Sequence, residues 1–364
     1  MKRILALDGG GIRGLFTLQI LARIEQLLRD ERKRPDLVLA DEFDLFAGTS
    51  TGAIIASGLC WGMSVAEIEQ FYLTQANRMF TRAPWFIRWK ARYRSDKLAD
   101  VLRGIFCEDG PGNEPALLSS SKLRKMLLVV MRNASTGSPW PVSNNRNALF
   151  NDIARPDSNL SIPIWQLVRA STAAPTYYAP ERIRLGEQSF IFVDGAITPF
   201  NNPALIAVLM ATLPCYRVCW PTGRDKLLVV SIGTGAVRTR LSKRLPEHVH
   251  MFDILRYVPP ALLESSADQQ DMLCRILGDC VFGAPLDLEM GDLQTPSLLS
   301  TSEQKFTYVR YNVRMDEAPE VKRRRLGAAT VDNLKLMPIL KEIGRDYAER
   351  YVTADHLHPR PASA

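Results

Sequence analysis

The feature that most constrains this chain is a unit that occurs twice in its first sixty residues: a short apolar strand, a glycine-bearing turn, then a helix. The first copy reads RILAL (3–7), then DGGGIRG (8–14). Leu15, Leu18, Ile20, Leu21, Ile24, Leu27 and Leu28 then recur at helical spacing as far as RDERKR. The second copy reads EFDLFAG (42–48), runs through STGA and enters the small-residue helix AIIASGLC. Strand, turn and helix in alternation predict an α/β fold with a largely parallel sheet.

Further along, a helix is expected around Lys97–Phe106. EDGPGNEP and NASTGSPWPVSNNRN read as exposed loops, rich in glycine, proline and asparagine. SFIFVDG (189–195) reads as a strand ending in an Asp-Gly turn, and NNP (201–203) as a helix start with Asn202 as N-cap and Pro203 at the first position. KLLVVSIGTG (226–235) is a continuous apolar run with β-branched residues, which marks a buried strand. Residues 246–290 read as mostly helical, FTYVRYNV (306–313) as a strand, NLKLMPILKEIGRDYAERY (333–351) as a closing helix, and HLHPRPASA as a frayed tail. No boundary interrupts this series. A chain of 364 residues with 46% hydrophobic content can bury one large core. The expected organisation is a core over 1–235 and a mostly helical portion over 236–364 that packs on it and is a candidate for regulation.

Composition excludes several classes. No apolar run approaches the roughly 18 residues needed to span a bilayer. The longest, AIIASGLCWGM (53–63) and ALIAVLMATL (204–213), read as buried helices. MKRILALDGG reaches an acid and glycines too soon for a signal peptide, so the expected location is cytoplasmic. The six cysteines form no C-x-x-C pair and no cluster with histidine, so they read as reduced thiols, and no metal site is expected. The formal charge of +7 is a modest excess with a telling distribution. TRAPWFIRWKARYR (81–94) carries five basic residues and no acid, interleaved with Trp85, Phe86, Trp89 and Tyr93. Such a segment suits an anionic membrane surface, stacking on a nucleotide base, or a solvated helix with its aromatics turned into the core.

The chemistry concentrates in the turns. Gly9, Gly11 and Gly14 fit the dinucleotide fingerprint G-x-G-x-x-G, with Asp41 of LVLAD as a somewhat late ribose acid. The same glycines could aim backbone N–H groups at an oxyanion. GTSTG (48–52) has the G-x-S-x-G form of a nucleophile elbow: Gly48 and Gly52 relieve crowding around a sharp turn that lifts Ser50 above the sheet. A serine nucleophile needs a base. The four histidines are poorly placed for that role: His248 and His250 follow a basic loop, and His356 and His358 lie in the tail. Asp194, after the apolar SFIFV, sits at the carboxyl end of a strand where α/β sites gather. Asp8 directly before the glycines is an awkward neighbour for a pyrophosphate, whereas the glycine run followed by Arg13 suits a transient oxyanion near Ser50. The hydrolase reading is therefore preferred over a non-catalytic nucleotide-binding module.

DGGGIRG (8–14), GTSTG (48–52) and DGA (194–196) occur in the order seen in patatin-like phospholipases, and RASTAAPTYYAP (169–180) and FNNPA (200–204) also resemble that family's segments. The resemblance runs from residue 3 to about 235 and resumes in VDNLKLMPILKEIG. It implies a three-layer α/β/α sandwich with a mostly parallel central sheet, its catalytic core in 1–235. Ser50 would be the nucleophile, Asp194 the base, and Gly9, Gly10, Gly11 and Arg13 the oxyanion hole. DGA where the family often has DGG is a mild departure. The implied reaction is hydrolysis of fatty-acyl esters of membrane glycerophospholipids by a cytoplasmic protein that is peripheral at the inner membrane when active. No cofactor and no nucleic-acid polymer are implied, and a homodimer stays open. Within the family the chain resembles bacterial phospholipase effectors of anti-phage signalling, which implies activation by a cyclic dinucleotide. Arg217, Arg224, Arg238, Arg240, Arg256 and Arg310 are then candidates for its phosphates, while VKRRRL (321–326) reads as a solvated loop. An ungated lysophospholipase or esterase is the alternative.

Overall fold

Alternation along a single strand shows how the layers form. In β1 (Lys2–Leu7), Ile4 and Ala6 join one apolar cluster while Leu5 and Leu7 join another, so the strand is buried on both faces. The computed structural model describes residues 1–87, 91–109, 113–236, 249–294, 298–315 and 332–358, the side chains of residues 87 and 256 aside.

Among the described residues the sheet has nine strands. β1 pairs in parallel with β2 (Leu45–Thr49) on one side and with β7 (Leu227–Ile232) on the other, and β2 continues in parallel to β3 (Met126–Asn133). Beyond β7 lie β9 (Thr307–Tyr311) and β8 (Asp279–Phe282), both parallel to it. One face carries α1 (Gly14–Arg32), α3 (Thr51–Cys60), α4 (Val65–Met79), α5 (Ser95–Ile105), α6 (Ile164–Ser171) and α9 (Met337–Tyr351). The opposite face carries α7 (Ala204–Thr212) and α8 (Met251–Leu277). This is the expected three-layer α/β/α sandwich. α7 is apolar nearly all round because it lies between the sheet and α8, the setting that such a composition requires. The helix starts one residue later than expected: Pro203 is the N-cap and Ala204 the first helical residue, its N–H donating to Asn202 Oδ1 at 3.1 Å.

The antiparallel strands position the site. β3 pairs with β4 (Ser138–Ser143) along one edge over Leu128–Asn133. Its other edge pairs first with β2, ending at Thr49↔Val130, and then with β6 (Gln188–Asp194), beginning at Met131↔Asp194. β2 and β6 therefore meet head to head along one edge of β3, and consecutive β3 residues hold Thr49 and Asp194. β5 (Glu181–Leu185) closes the hairpin with β6.

Several expectations need correction. NASTGSPWPVSNN is mainly the β3–β4 hairpin rather than a loop; Pro139 and Pro141 lie on an edge strand, where a missing N–H costs no ladder bond. LVLAD is no strand: Leu39–Glu42 form the short helix α2, and Asp41 pairs with Arg34 and Arg124. The strand before Asp194 runs against its neighbour β3, so Asp194 reaches the site from the opposite direction to Ser50. After 235, β9 falls within the expected strand FTYVRYNV, while β8 is a strand inside the stretch 246–290 that reads as mostly helical, and both join the same sheet. α9 lies against α1 closely enough that a Cβ on Gly344 would sit 2.9 Å from the Gln19 side chain. The tail is docked as far as His358: Leu357 is buried and His356 Nδ1 lies 2.9 Å from the Tyr311 hydroxyl.

Candidate active site

Ser50 sits where β2 turns into α3, with φ 54° and ψ −121°, a conformation that side-chain-bearing residues seldom adopt. Close packing fixes the turn. A Cβ on Gly48 would lie 2.2 Å from the Gly52 carbonyl oxygen, and one on Gly52 would lie 2.1 Å from that of Leu7. Both glycines are steric necessities, as the elbow reading requires. The Ser50 N–H donates to Ser171 Oγ at 2.9 Å, and the Ser171 hydroxyl donates to the Val130 carbonyl at 2.6 Å. Ser171, at the end of α6, thus ties the strained residue to β3. Sequence reasoning assigned it no role, although it lies within RASTAAPTYYAP.

Asp194 ends β6 within reach of Ser50. The Ser50 hydroxyl donates to Asp194 Oδ2 at 2.7 Å, and the Ala196 N–H donates to Oδ1 at 2.8 Å. The carboxyl is 2% exposed and has no cation in hydrogen-bond contact among the described residues. Burial pushes its pKa up to about 7, against the opposing effects of the Ala196 N–H, the Ser50 hydroxyl and the charge of Arg169. A carboxylate with that proton affinity can accept a proton from a serine hydroxyl near neutral pH.

The glycine turn crosses directly beside Ser50. Register pairs Leu7 with Gly48, and a Cβ on Gly9 would lie 3.1 Å from that of Ser50. Its donors are not equivalent. The Gly9 N–H donates to the Asn201 carbonyl at 3.2 Å, while those of Gly10 and Gly11 meet no acceptor among the described residues. Gly11 has φ 60°, and Gly10 lies tight against Thr234. Arg13 donates from Nη1 to the Gly235 carbonyl at 2.9 Å and from Nε to the Gly10 carbonyl at 3.4 Å. Of the four residues proposed to cradle an oxyanion, Gly10 and Gly11 hold the available N–H groups, and Arg13 braces the loop.

Other candidates lie elsewhere. Arg310 is buried, with Nη1 and Nη2 donating to the two Asp8 carboxylate oxygens at 2.9 and 2.6 Å, so it is not available for phosphate. Arg224 lies 3.7 Å from Asp279, and exposed Arg217 lines an open cavity with Arg146 and Arg155. Arg238, Arg240, residues 321–326 and His248 lie outside the described residues, as does the Arg256 side chain. His250 is exposed at the start of α8, and His358 lies 3.1 Å from Glu31. The 81–94 segment divides: Trp85 and Phe86 are exposed, whereas Tyr93 is buried against Phe80 and Tyr177. Among the described residues no group of three or more His, Cys, Asp or Glu side chains could hold a metal ion, and no helix is long and apolar enough to cross a membrane.

Fold and site together define an α/β/α sandwich in which a strained serine on a strand-to-helix turn hydrogen-bonds an aspartate beside a glycine loop. The chain belongs to the patatin-like phospholipase family, whose family model matches residues 5–208. It is 32% identical over 217 residues to a protein of Vibrio cholerae named cGAMP-activated phospholipase, covering 57% of this chain and 56% of the relative. It is also 32% identical over 214 residues to one of the same name from Escherichia coli, covering 57% and 55%. The chain thus spans about half the length of these curated relatives. Among solved structures, VipD from Legionella pneumophila aligns with TM-score 0.43 and 14% identity, over 96% of this chain and 66% of that one.

Proposed function

We propose that this protein is a serine acyl hydrolase that cleaves fatty-acyl esters of membrane glycerophospholipids and is activated by a cyclic dinucleotide. The observation that carries the chemistry is the 2.7 Å hydrogen bond from Ser50 Oγ to Asp194 Oδ2 beside the Gly10 and Gly11 N–H groups, which meet no acceptor among the described residues. Ser50 Oγ attacks the ester carbonyl while its proton passes to Asp194, and the carbonyl oxygen becomes an oxyanion facing the Gly10 and Gly11 amides. Collapse of the tetrahedral intermediate breaks the bond to the alcohol oxygen, which takes the proton back from Asp194. Water, deprotonated by the same carboxylate, then releases the fatty acid and restores Ser50.

Support for the substrate comes from the family and from the names of the two bacterial relatives, which are called phospholipases. Support for gating comes from the same names, which describe activation by cGAMP. A cytoplasmic enzyme that reaches the inner face of the membrane only when activated fits both. The test is release of fatty acid from vesicles of phosphatidylethanolamine and phosphatidylglycerol, with cGAMP, with other cyclic dinucleotides and with none. Hydrolysis in the cGAMP arm that disappears in Ser50→Ala supports the whole reading. Equal rates in every arm leave an ungated hydrolase, and no hydrolysis with any activator overturns the enzyme reading.

A further inference from the structure

The described C-terminal portion sends one guanidinium under the glycine loop. Arg310, in β9, is 302 residues from Asp8, yet its two terminal nitrogens grip both carboxylate oxygens of that residue, which immediately precedes Gly9. Nη1 also donates to Ser231 Oγ at 2.8 Å. The Ser231 hydroxyl donates to Asn202 Oδ1 at 3.2 Å, and the neighbouring Asn201 carbonyl accepts the Gly9 N–H. Arg310 therefore fixes the loop from two sides: directly through Asp8, and through Ser231 and Asn202 at the segment that receives Gly9. Around it Asp271 of α8 accepts from Arg275 at 3.0 and 2.8 Å and from the Tyr308 hydroxyl at 3.0 Å, while Arg310 Nε stands 4.0 Å from Asp271. These groups are buried together.

We infer that Arg310 is a positioning residue for the proposed oxyanion site, aiming the Gly10 and Gly11 amides by clamping Asp8 and the Asn201–Asn202 segment. The inference rests on the reading of that loop as an oxyanion cradle. It also locates the determinant outside residues 5–208, the segment that the family model matches. A planar fork is required, because a lysine ammonium cannot meet both carboxylate oxygens and Ser231 in one plane.

The test compares Arg310→Lys, Arg310→Met and the neutral pair Asp8→Asn/Arg310→Gln, which removes both charges and leaves no buried ion unpaired. Turnover of a soluble short-chain p-nitrophenyl ester is measured with cGAMP present, together with amide hydrogen exchange across residues 8–14. The expected result is a kcat lowered about ten- to a hundredfold with KM within about twofold in Arg310→Lys and in the neutral pair. Exchange at 8–14 rises while β1 stays protected, and Arg310→Met shows the same loss or fails to fold. A neutral pair that folds with wild-type kcat and wild-type exchange overturns the inference, showing that the ion pair only supports the fold. A wild-type protein that hydrolyses neither ester nor vesicle overturns the functional reading instead, and the exchange data then decide the loop question alone.

Discussion

Two carboxylates face the same pair of turns with opposite treatment. Asp8 follows β1 and Asp194 ends β6, and each is almost fully buried, at 3% and 2% exposure. Asp8 receives a bidentate guanidinium from Arg310, whereas among the described residues Asp194 receives only the Ala196 N–H and the Ser50 hydroxyl. Burial raises the proton affinity of both, and at Asp8 the Arg310 guanidinium opposes that rise while occupying both carboxylate oxygens. Neutral donors leave that of Asp194 raised, here to about 7, where it can exchange a proton with a substrate or a serine. Residue type and burial are shared, so the partner alone separates a structural carboxylate from a candidate base.

The largest expected effect tests that division at its centre. Ser50→Ala and Asp194→Asn should each lower ester hydrolysis by about 10³-fold or more, with circular dichroism unchanged. Neither substitution opens a large cavity, since each is isosteric or removes one oxygen. Retention of most activity in Asp194→Asn would reassign the base and dissolve the contrast.

Next in size is the pH dependence. The proposed base must be unprotonated, so kcat/KM should rise through a midpoint near 7 and fall about tenfold per unit below it. Burial raises the Asp8 pKa too, against the pull of Arg310, but Asp8 is engaged by that guanidinium and not by Ser50, so Asp8→Asn should lower the plateau without moving the midpoint. An acid limb that shifts in Asp8→Asn would show that the wrong carboxylate has been given the titration.

Stability should separate the two with opposite signs. The folded pKa of Asp194 lies above its unfolded value of about 3.9. Between roughly pH 4 and 7 the folded state therefore holds a proton that the unfolded chain has released, and stability falls as pH rises through this window. Above pH 7 the full cost, on the order of 3–5 kcal/mol, persists. Asp194→Asn removes that cost, so its unfolding midpoint should exceed wild type at pH 8 and approach it at pH 4. Asp8→Asn takes from buried Arg310 its bidentate carboxylate, leaving Asp271 at 4.0 Å as its remaining ion-pair partner among the described residues, and should destabilise the fold by about 3–5 kcal/mol at pH 8. Denaturant titrations at both pH values check the pair of signs.

How far these features were readable from sequence follows from how local their causes are. Both strand–turn–helix units, Ser50 and its flanking glycines depend on contacts within a few residues, and the motif spacing carries them. The Asp194 assignment depends on DGA following an apolar strand, and the residue stands where that predicts, but the direction of β6 does not show in composition. β4 was hidden because Pro139 and Pro141 suppress the strand pattern, and only an edge position makes them acceptable. Ser171 and Arg310 act across sequence separations of 121 and 302 residues. No periodicity encodes such pairings, and Arg310 looked like a spare phosphate ligand because its partner sits at the other end of the chain.

The smallest effect probes a cation that lies near Asp194 without touching it. Arg169 on α6 is fully buried, donates from Nη2 to the Ala179 carbonyl at 2.7 Å and lies over the Tyr178 ring at 5.4 Å. Its hydrogen bond goes elsewhere, so it acts on Asp194 through its field, which draws the carboxyl pKa down against burial. Contact with arginine lowers a carboxyl pKa by about 1–3 units, and a cation out of contact does less. Arg169→Met should therefore move the acid limb of kcat/KM upward by less than about one unit, and Arg169→Lys should leave it in place. A limb that falls in Arg169→Met would mean that the guanidinium does not favour the Asp194 carboxylate at all. The difference between the two buried acids would then rest on Arg310 alone, a cation in contact with Asp8 and with no counterpart acting on Asp194.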